Sequence, residues 1–558
     1  MEKLRTILSL GFAAIFIATH PVVGQDKAIK ITSGTEAASS EETLEFTWDR
    51  TLGYDEITAQ CRKLVQAYPD LVQMESIGET ATGKRIWALT ISNFTSGNAH
   101  EKPGYLVEGN TLHDPSIGSD HALYLAWHLL KNHETNQTIG KLLEHKVIYI
   151  IPATFPDTKT KRISESSKVY SPTLDNDKDG RMQEDGPDDL TNDGLISLMR
   201  RKSLKGPYVE DKANPFKMVL ASTSTEAQYE WLGYEGFDND KDGLVNEDPF
   251  GYQAIDQDWS WKWHPNYAQT ESSSTYPFSI PENRAIKDFI LKHPNIAAVQ
   301  LNYYQRDLDL LNSSKKQEGV NDVETLNQVD KEELLNKVYQ TKKWNWMKYS
   351  RGLNTFTVHL MNFNQESLDE VSDIVKAEDD SIKVKNHSLY SAWAPFEHPT
   401  YGPIEIGGLQ ISPSFIPEGD WLIRDLERFA LQTIENASQL PQLVIQNIER
   451  RLLNDGLTEV TATIQNAGLL PTHTPEDLTQ RLERADYITL KEAIVLASSL
   501  LVDGAPIAGE KSNNLSRIEV PNIPTVSPLQ IRWVVKSTSP TMLLEIDSRK
   551  GGVISTRF

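Results

Sequence analysis

The chain has 558 residues, 39% hydrophobic and 24% charged, the balance of an ordinary globular protein long enough for two or three domains. Its formal net charge of −22 excludes a function built on neutralising nucleic-acid phosphates, which needs clustered Lys and Arg. The single cysteine, Cys61, excludes an intramolecular disulfide.

In chain order, Lys3 and Arg5 precede an apolar run over 7–18 and a small-residue stretch, Val22-Val23-Gly24. This is the pattern of a cleaved export signal over 1–24. The run is shorter than the roughly 20 residues that span a bilayer, and no later segment is long and apolar enough. A secreted or periplasmic protein without a membrane span is therefore expected. Residues 25–48, rich in Ser, Thr, Glu and Ala, read as a flexible leader. Ile57, Cys61, Leu64 and Val65 have helical spacing, which puts the thiol on the buried face of a helix that stops near Tyr68-Pro69. Strands are predicted over 86–91, 104–107, 146–151 and 296–301, with helices over 122–130 and 283–291. The alternation predicts an α/β domain with a largely buried mixed sheet. After about residue 439 the texture changes to short β-like runs, over 458–464, 529–535 and 541–546, separated by Gly, Pro and Asn. A C-terminal β-sandwich over 438–558 is predicted.

One hexapeptide occurs twice. Asp175-Asn176-Asp177-Lys178-Asp179-Gly180 is followed by Glu184-Asp185, and Asp238-Asn239-Asp240-Lys241-Asp242-Gly243 by Glu247-Asp248. Carboxylates at alternate positions, a glycine for the sharp turn and a late acid wrap oxygen ligands round a hard cation. The expected ion is a structural calcium. The ligand candidates are Asp175, Asp177, Asp179, Glu184 and Asp185 in one copy, and Asp238, Asp240, Asp242, Glu247 and Asp248 in the other. A third acidic stretch, Asp188-Asp189 with Asn192-Asp193-Gly194, offers further oxygens.

Several stretches resemble the M14 zinc metallocarboxypeptidase family, in particular its exported bacterial branch with acidic insertions. They are Ser76-Ile77-Gly78 through Gly83-Lys84-Arg85, Glu108-Gly109-Asn110 with Gly118-Ser119, Tyr149 to Pro152, and Trp263-His264-Pro265. Tyr276-Pro277-Phe278 with Pro281-Glu282, His293-Pro294-Asn295-Ile296, His398-Pro399-Thr400-Tyr401-Gly402 and Glu405-Ile406-Gly407-Gly408 continue the match. The resemblance implies a carboxypeptidase-like domain over 49–437, a mixed central sheet flanked by helices, with acidic insertions at about 171–250. It also implies a His-x-x-Glu motif and a later His holding one zinc, a general-base Glu, and an oxyanion-stabilising Arg. In this chain the His position falls on Leu112, the Glu position on Pro115, the second His on Tyr304 and the general base on His359. The Asn-Arg pair falls on Asp256-Gln257. None of Leu112, Pro115 or Tyr304 supplies the imidazole or carboxylate that the zinc chemistry needs. The expectation is a pseudoenzyme with a binding or scaffold role, its zinc absent, taking a peptide or peptidoglycan-like chain end. The alternative is an active zinc carboxypeptidase whose site is rebuilt from His113, Asp114 and His359. His113, Asp114 and His121 otherwise read as solvated loop or helix-start residues, and Trp259, Trp261 and Trp263 as groove or core.

Overall fold

The computed structural model describes residues 30–31, 46–80, 82–109, 117–158, 187–193, 196–203, 206–212, 215–221, 228–239, 241, 243, 245–246, 255–256, 258–263, 276–304, 341–360, 390–411, 419–453, 456–502, 505–507, 514–536 and 540–558. The expected signal and leader therefore lie outside the described residues, apart from the strand Lys30–Ile31 and residues 46–48.

The α/β part runs β1 (Lys30–Ile31), α1 (Tyr54–Ala67), β2 (Val72–Glu79), β3 (Arg85–Ile91), β4 (Gly104–Glu108), α2 (Ile117–Asn132), α3 (Gln137–His145) and β5 (Val147–Ile151). Four short strands follow: β6 (Ile196–Lys202), β7 (Tyr208–Glu210), β8 (Met218–Leu220) and β9 (Tyr229–Tyr234). Then come α4 (Pro281–Lys292), β10 (Ile296–Tyr304), α5 (Lys342–Asn345), β11 (Asn354–Leu360), the hairpin β12 (Tyr390–His398) and β13 (Gly402–Ile411), and α6 (Asp420–Ser438).

Local chemistry sets these elements. Helix α1 buries Ile57, Cys61, Leu64 and Val65 on one face, and the Glu56 carboxylate takes the Gly53 N–H at 2.9 Å before its first turn. Burial pushes the Cys61 thiol up to about 12, so it is a packing group. The Asn136 side chain accepts from Thr138 N and Ile139 N at 3.0 and 3.3 Å and so starts α3. Strand β5, Val-Ile-Tyr-Ile-Ile, is buried at every position, as a strand covered on both faces must be.

The main sheet has the order β1-β2-β3-β5-β4-β10-β11. Strands β5, β4, β10 and β11 are parallel, and β1, β2 and β3 add antiparallel pairs on the β5 side. One face packs on α1, α2, α3 and α6 through Leu64, Leu125, Leu143 and Phe429; the other packs on α4 with Trp259, Trp344 and Trp346. This is the mixed, helix-flanked sheet expected from the sequence.

The acidic insertion is more structured than its composition suggests. Strands β6 to β9 join the β12–β13 hairpin in a second, wholly antiparallel sheet, β12-β13-β6-β9-β7-β8. Its own small core is Leu190, Met199, Ile404 and Ile406.

Beyond α6 the chain builds two antiparallel sheets. One has β14 (Leu443–Leu452), β15 (Leu457–Asn466), β20 (Leu529–Lys536), β17 (Ile494–Val502) and β18 (Ala505–Ile507), in that order. The other has β19 (Arg517–Val520), β16 (Asp486–Lys491), β21 (Leu543–Ser548) and β22 (Gly552–Arg557). Inward residues of both, among them Val460, Trp533, Ile488 and Leu544, share one core, which makes a β-sandwich. A short helix, α7 (Pro475–Gln480), lies between β15 and β16.

The sandwich is tied to the α/β domain by buried charges. Lys550 Nζ donates to Asp477 Oδ2 at 2.9 Å and to the Gly352 carbonyl at 2.7 Å. His473 bridges Asp477 and Asp486 at 2.9 and 3.1 Å. Burial alone would lower the His473 pKa, but the two carboxylates outweigh it and raise it to about 9. On the other side of the junction Lys146 Nζ, 4% exposed with its side chain, donates to the Leu440 carbonyl at 3.3 Å and to that of Pro441.

Candidate functional site

The parallel strands β4, β10 and β11 end at one edge of the main sheet. From β4 the chain crosses to β5 over the face that carries α2 and α3, and it reaches β10 over the face that carries α4. The side of crossover thus reverses between β4 and β10, and the carboxyl ends of strands flanking such a reversal form a ligand crevice.

Glu108 closes β4 and is fully buried. Lys343, in the first turn of α5 and 1% exposed, places its ammonium 2.5 Å from Glu108 Oε2. Among the described residues Glu108 Oε1 has no hydrogen-bond partner. Asn302 Nδ2 of β10 donates to the Glu108 carbonyl at 2.5 Å and so pins the two strand ends together. The ammonium lies 5.4 Å from the centroid of the Trp259 ring. Asp256 accepts from the backbone of Lys342 and Lys343 at 2.9 and 3.0 Å and fixes the start of α5. Burial raises its pKa, against the pull of those N–H groups and of both lysines.

The residues singled out from sequence divide as follows. Leu112, His113, Asp114 and Pro115 lie outside the described residues, as does Gln257. Tyr304 ends β10 and His359 is the penultimate residue of β11; their strands pair Tyr303 with His359 and Tyr304 with Leu360. The two positions therefore sit at the same end of neighbouring strands, one register step apart. His121 departs from the solvated reading. It is fully buried in α2, with Nε2 2.7 Å from Asp425 Oδ2 of α6 and its ring packed on Phe429. Burial pushes the Asp425 carboxyl up, but His121 and Arg428 outweigh it and hold it at about 2. Trp259 is core, buried against Trp346 and Phe278, whereas Trp261 is half-buried and stacks on Tyr349.

Of the calcium candidates, Asp175, Asp177, Asp179, Glu184, Asp185, Asp240, Asp242, Glu247 and Asp248 lie outside the described residues. Asp238 is described. Its Oδ2 accepts the Gly243 N–H at 3.1 Å, the first-to-sixth-residue contact that folds such a loop, and Gly243 has φ +98. Asp188 reaches the same loop, accepting from Asn239 Nδ2 at 2.7 Å. Nearby Glu235 takes Ser197 N and Leu190 N at 2.7 and 3.0 Å; burial raises its pKa to about 7 despite those bonds.

The buried pair Glu108–Lys343 had no signal in the sequence beyond Glu108 preceding Gly109-Asn110, because its members stand 235 residues apart.

Residues 57–181 match the family model described as zinc carboxypeptidase, and residues 442–558 match one described as a domain of unknown function (DUF8731). Carboxypeptidase D of Drosophila melanogaster is 31% identical over 94 residues, 17% of this chain and 7% of that protein. Carboxypeptidase D of Homo sapiens is 25% identical over 122 residues, 22% of this chain and 9% of that protein. Carboxypeptidase M of Mus musculus is 21% identical over 152 residues, 27% of this chain and 33% of that protein. The chain thus spans a tenth or less of the carboxypeptidase D relatives it matches.

Active members of a zinc carboxypeptidase family imply zinc, which takes three protein ligands and leaves a position open for water. The described Glu108, Asp256 and His121 are not available to that ion. Glu108 is held by an ammonium, Asp256 by two backbone N–H groups and His121 by Asp425. Among the described residues no group of three or more His, Cys, Asp or Glu converges to hold a metal.

Proposed function

We propose that this chain, whose α/β domain is related to the M14 zinc carboxypeptidases through residues 57–181, is an exported, hydrolytically silent member that binds a peptide or peptidoglycan-like chain end. The observation that carries the reading is the residue types in the sequence at the positions the resemblance assigns to zinc. The positions that the resemblance assigns to zinc hold Leu112, Pro115 and Tyr304, hydrocarbon and phenol rather than imidazole and carboxylate. Without the metal there is no activated water and no polarised carbonyl, so loss of these groups abolishes the chemistry rather than weakening it. What remains for a ligand is the reversal of crossover between β4 and β10, the place where open α/β sheets bind ligands. A structural calcium in the paired acidic loops belongs to the same reading; without it several carboxylates held close together repel one another.

The test is metal analysis of purified, calcium-saturated protein, joined to an assay for release of C-terminal residues from peptides. Absence of zinc, no release, and saturable binding of a peptide or a peptidoglycan stem peptide are expected. One zinc per chain with release of C-terminal residues refutes the proposal. It favours the second reading, an active enzyme with a site rebuilt from His113, Asp114 and His359, which the place of His359 at the same sheet edge makes specific. Alanine at His359 would then abolish both zinc and hydrolysis.

A further inference from the structure

The second sheet has two unlike faces. Met199, Ile404 and Ile406 point into its small core. On the other face, directly opposed residues form two cross-strand rows, because paired positions share a face. One row is Lys202, Tyr229, Tyr208 and Leu220; the other is Glu405, Arg200 and Trp231.

Arg200 organises this face. Its side chain is 3% exposed, and its guanidinium carbon lies 3.9 Å from the Tyr229 centroid and 4.0 Å from that of Trp393. Nε donates to Glu405 and Nη2 to Glu210, both at 2.7 Å. Tyr229 Oη also donates to Glu210, at 3.1 Å. Trp393 lies against the sheet because position 408 is glycine with φ +72; a Cβ there would stand 2.5 Å from the indole Cζ2. The indole Nε1 donates to the Phe216 carbonyl at 3.1 Å, which fixes the ring on the face. Trp231, Tyr208 and Trp393 are half-exposed.

Two properties select a ligand class. The fixed charges are already paired, Arg200 and Lys202 against Glu405 and Glu210, so a charged ligand gains little from them. The surface instead alternates aromatic faces with held carboxylates. That alternation suits a molecule that alternates apolar C–H faces with hydroxyls.

We propose that this face binds a neutral oligosaccharide, with sugar rings on Trp231, Trp393 and Tyr208 and hydroxyls donating to Glu210 and Glu405. The site is built on the second sheet rather than on the strand ends of the first, and it does not depend on what those strand ends bind. A peptide adding to the sheet would pair with an edge strand and leave these rings untouched.

The full-length protein is titrated by tryptophan fluorescence with cellohexaose and chitohexaose, and run in native gels containing hydroxyethyl cellulose or glycol chitin. Saturable quenching and retardation by at least one probe are expected. W231A and Y208A, at half-exposed positions, should each weaken binding about tenfold while leaving the melting temperature within a few degrees of the parent. No response to any of the four probes overturns the proposal. So does undiminished binding in both variants, which would leave the Arg200 cluster a purely structural column.

Discussion

Replacing Lys343 by methionine would strand a charge in the interior. Glu108 is 0% exposed, its Oε2 has the Lys343 ammonium at 2.5 Å, and its Oε1 has no partner among the described residues. Without the lysine neither oxygen keeps a bond. Methionine is similar in length and apolar, so packing against Trp259 is largely kept and the charge effect dominates. Removing one member of a buried pair costs about 3–5 kcal/mol. In a large domain each kcal/mol moves the melting temperature by about 2–4 °C, so a fall of about 6–20 °C is expected. Differential scanning calorimetry of the full chain, at one scan rate and fixed calcium, reads it. The double variant K343M/E108Q removes the stranded charge and should recover most of the loss. A fall below about 2 °C in K343M, or no recovery in the double variant, would refute the reasoning.

Three further outcomes follow from the same geometry. Because the folded pKa of His473 is raised to about 9, its contribution is fully present below about 6.5 and lost as pH rises through about 9. Stability by urea titration should fall across that window by on the order of 3 kcal/mol, and H473Q should flatten the slope; an unchanged slope in the variant would remove His473 from the account. Gly352 has φ +58, and an added Cβ would stand 2.7 Å from Asp477 Cβ, so G352A should cost at least about 2 kcal/mol, read by the same titration. Millimolar calcium added to chelator-treated protein should raise the melting temperature; no shift counts against the paired loops as ion sites.

What sequence could and could not reveal follows from where each signal resides. Helix α1 and strand β5 were legible because their burial repeats within a few residues. Strands β7 and β8 are three residues each, half-buried, in a stretch broken up by Lys, Ser, Thr and Pro, so no period could emerge and the second sheet passed as an insertion. His121 follows Asp120 near a helix start and looked solvated; its true partner, Asp425, is 304 residues away on α6. Glu108 and Lys343 share the difficulty. A residue's type is local, but its counter-charge is chosen by the fold.

Lys146 and Lys550 also govern how the chain can be cut. Lys146 Nζ, in the α/β domain, donates to the carbonyls of Leu440 and Pro441, and burial lowers its pKa to about 7. Lys550 reaches back from the sandwich to the Gly352 carbonyl, two residues before β11. A truncation after residue 440 would leave Gly352 without its donor and uncover the Lys146 side chain and the surface around it. The sandwich is thus a buttress rather than a passenger, and a shortened chain that loses binding would say nothing about where the ligand sits.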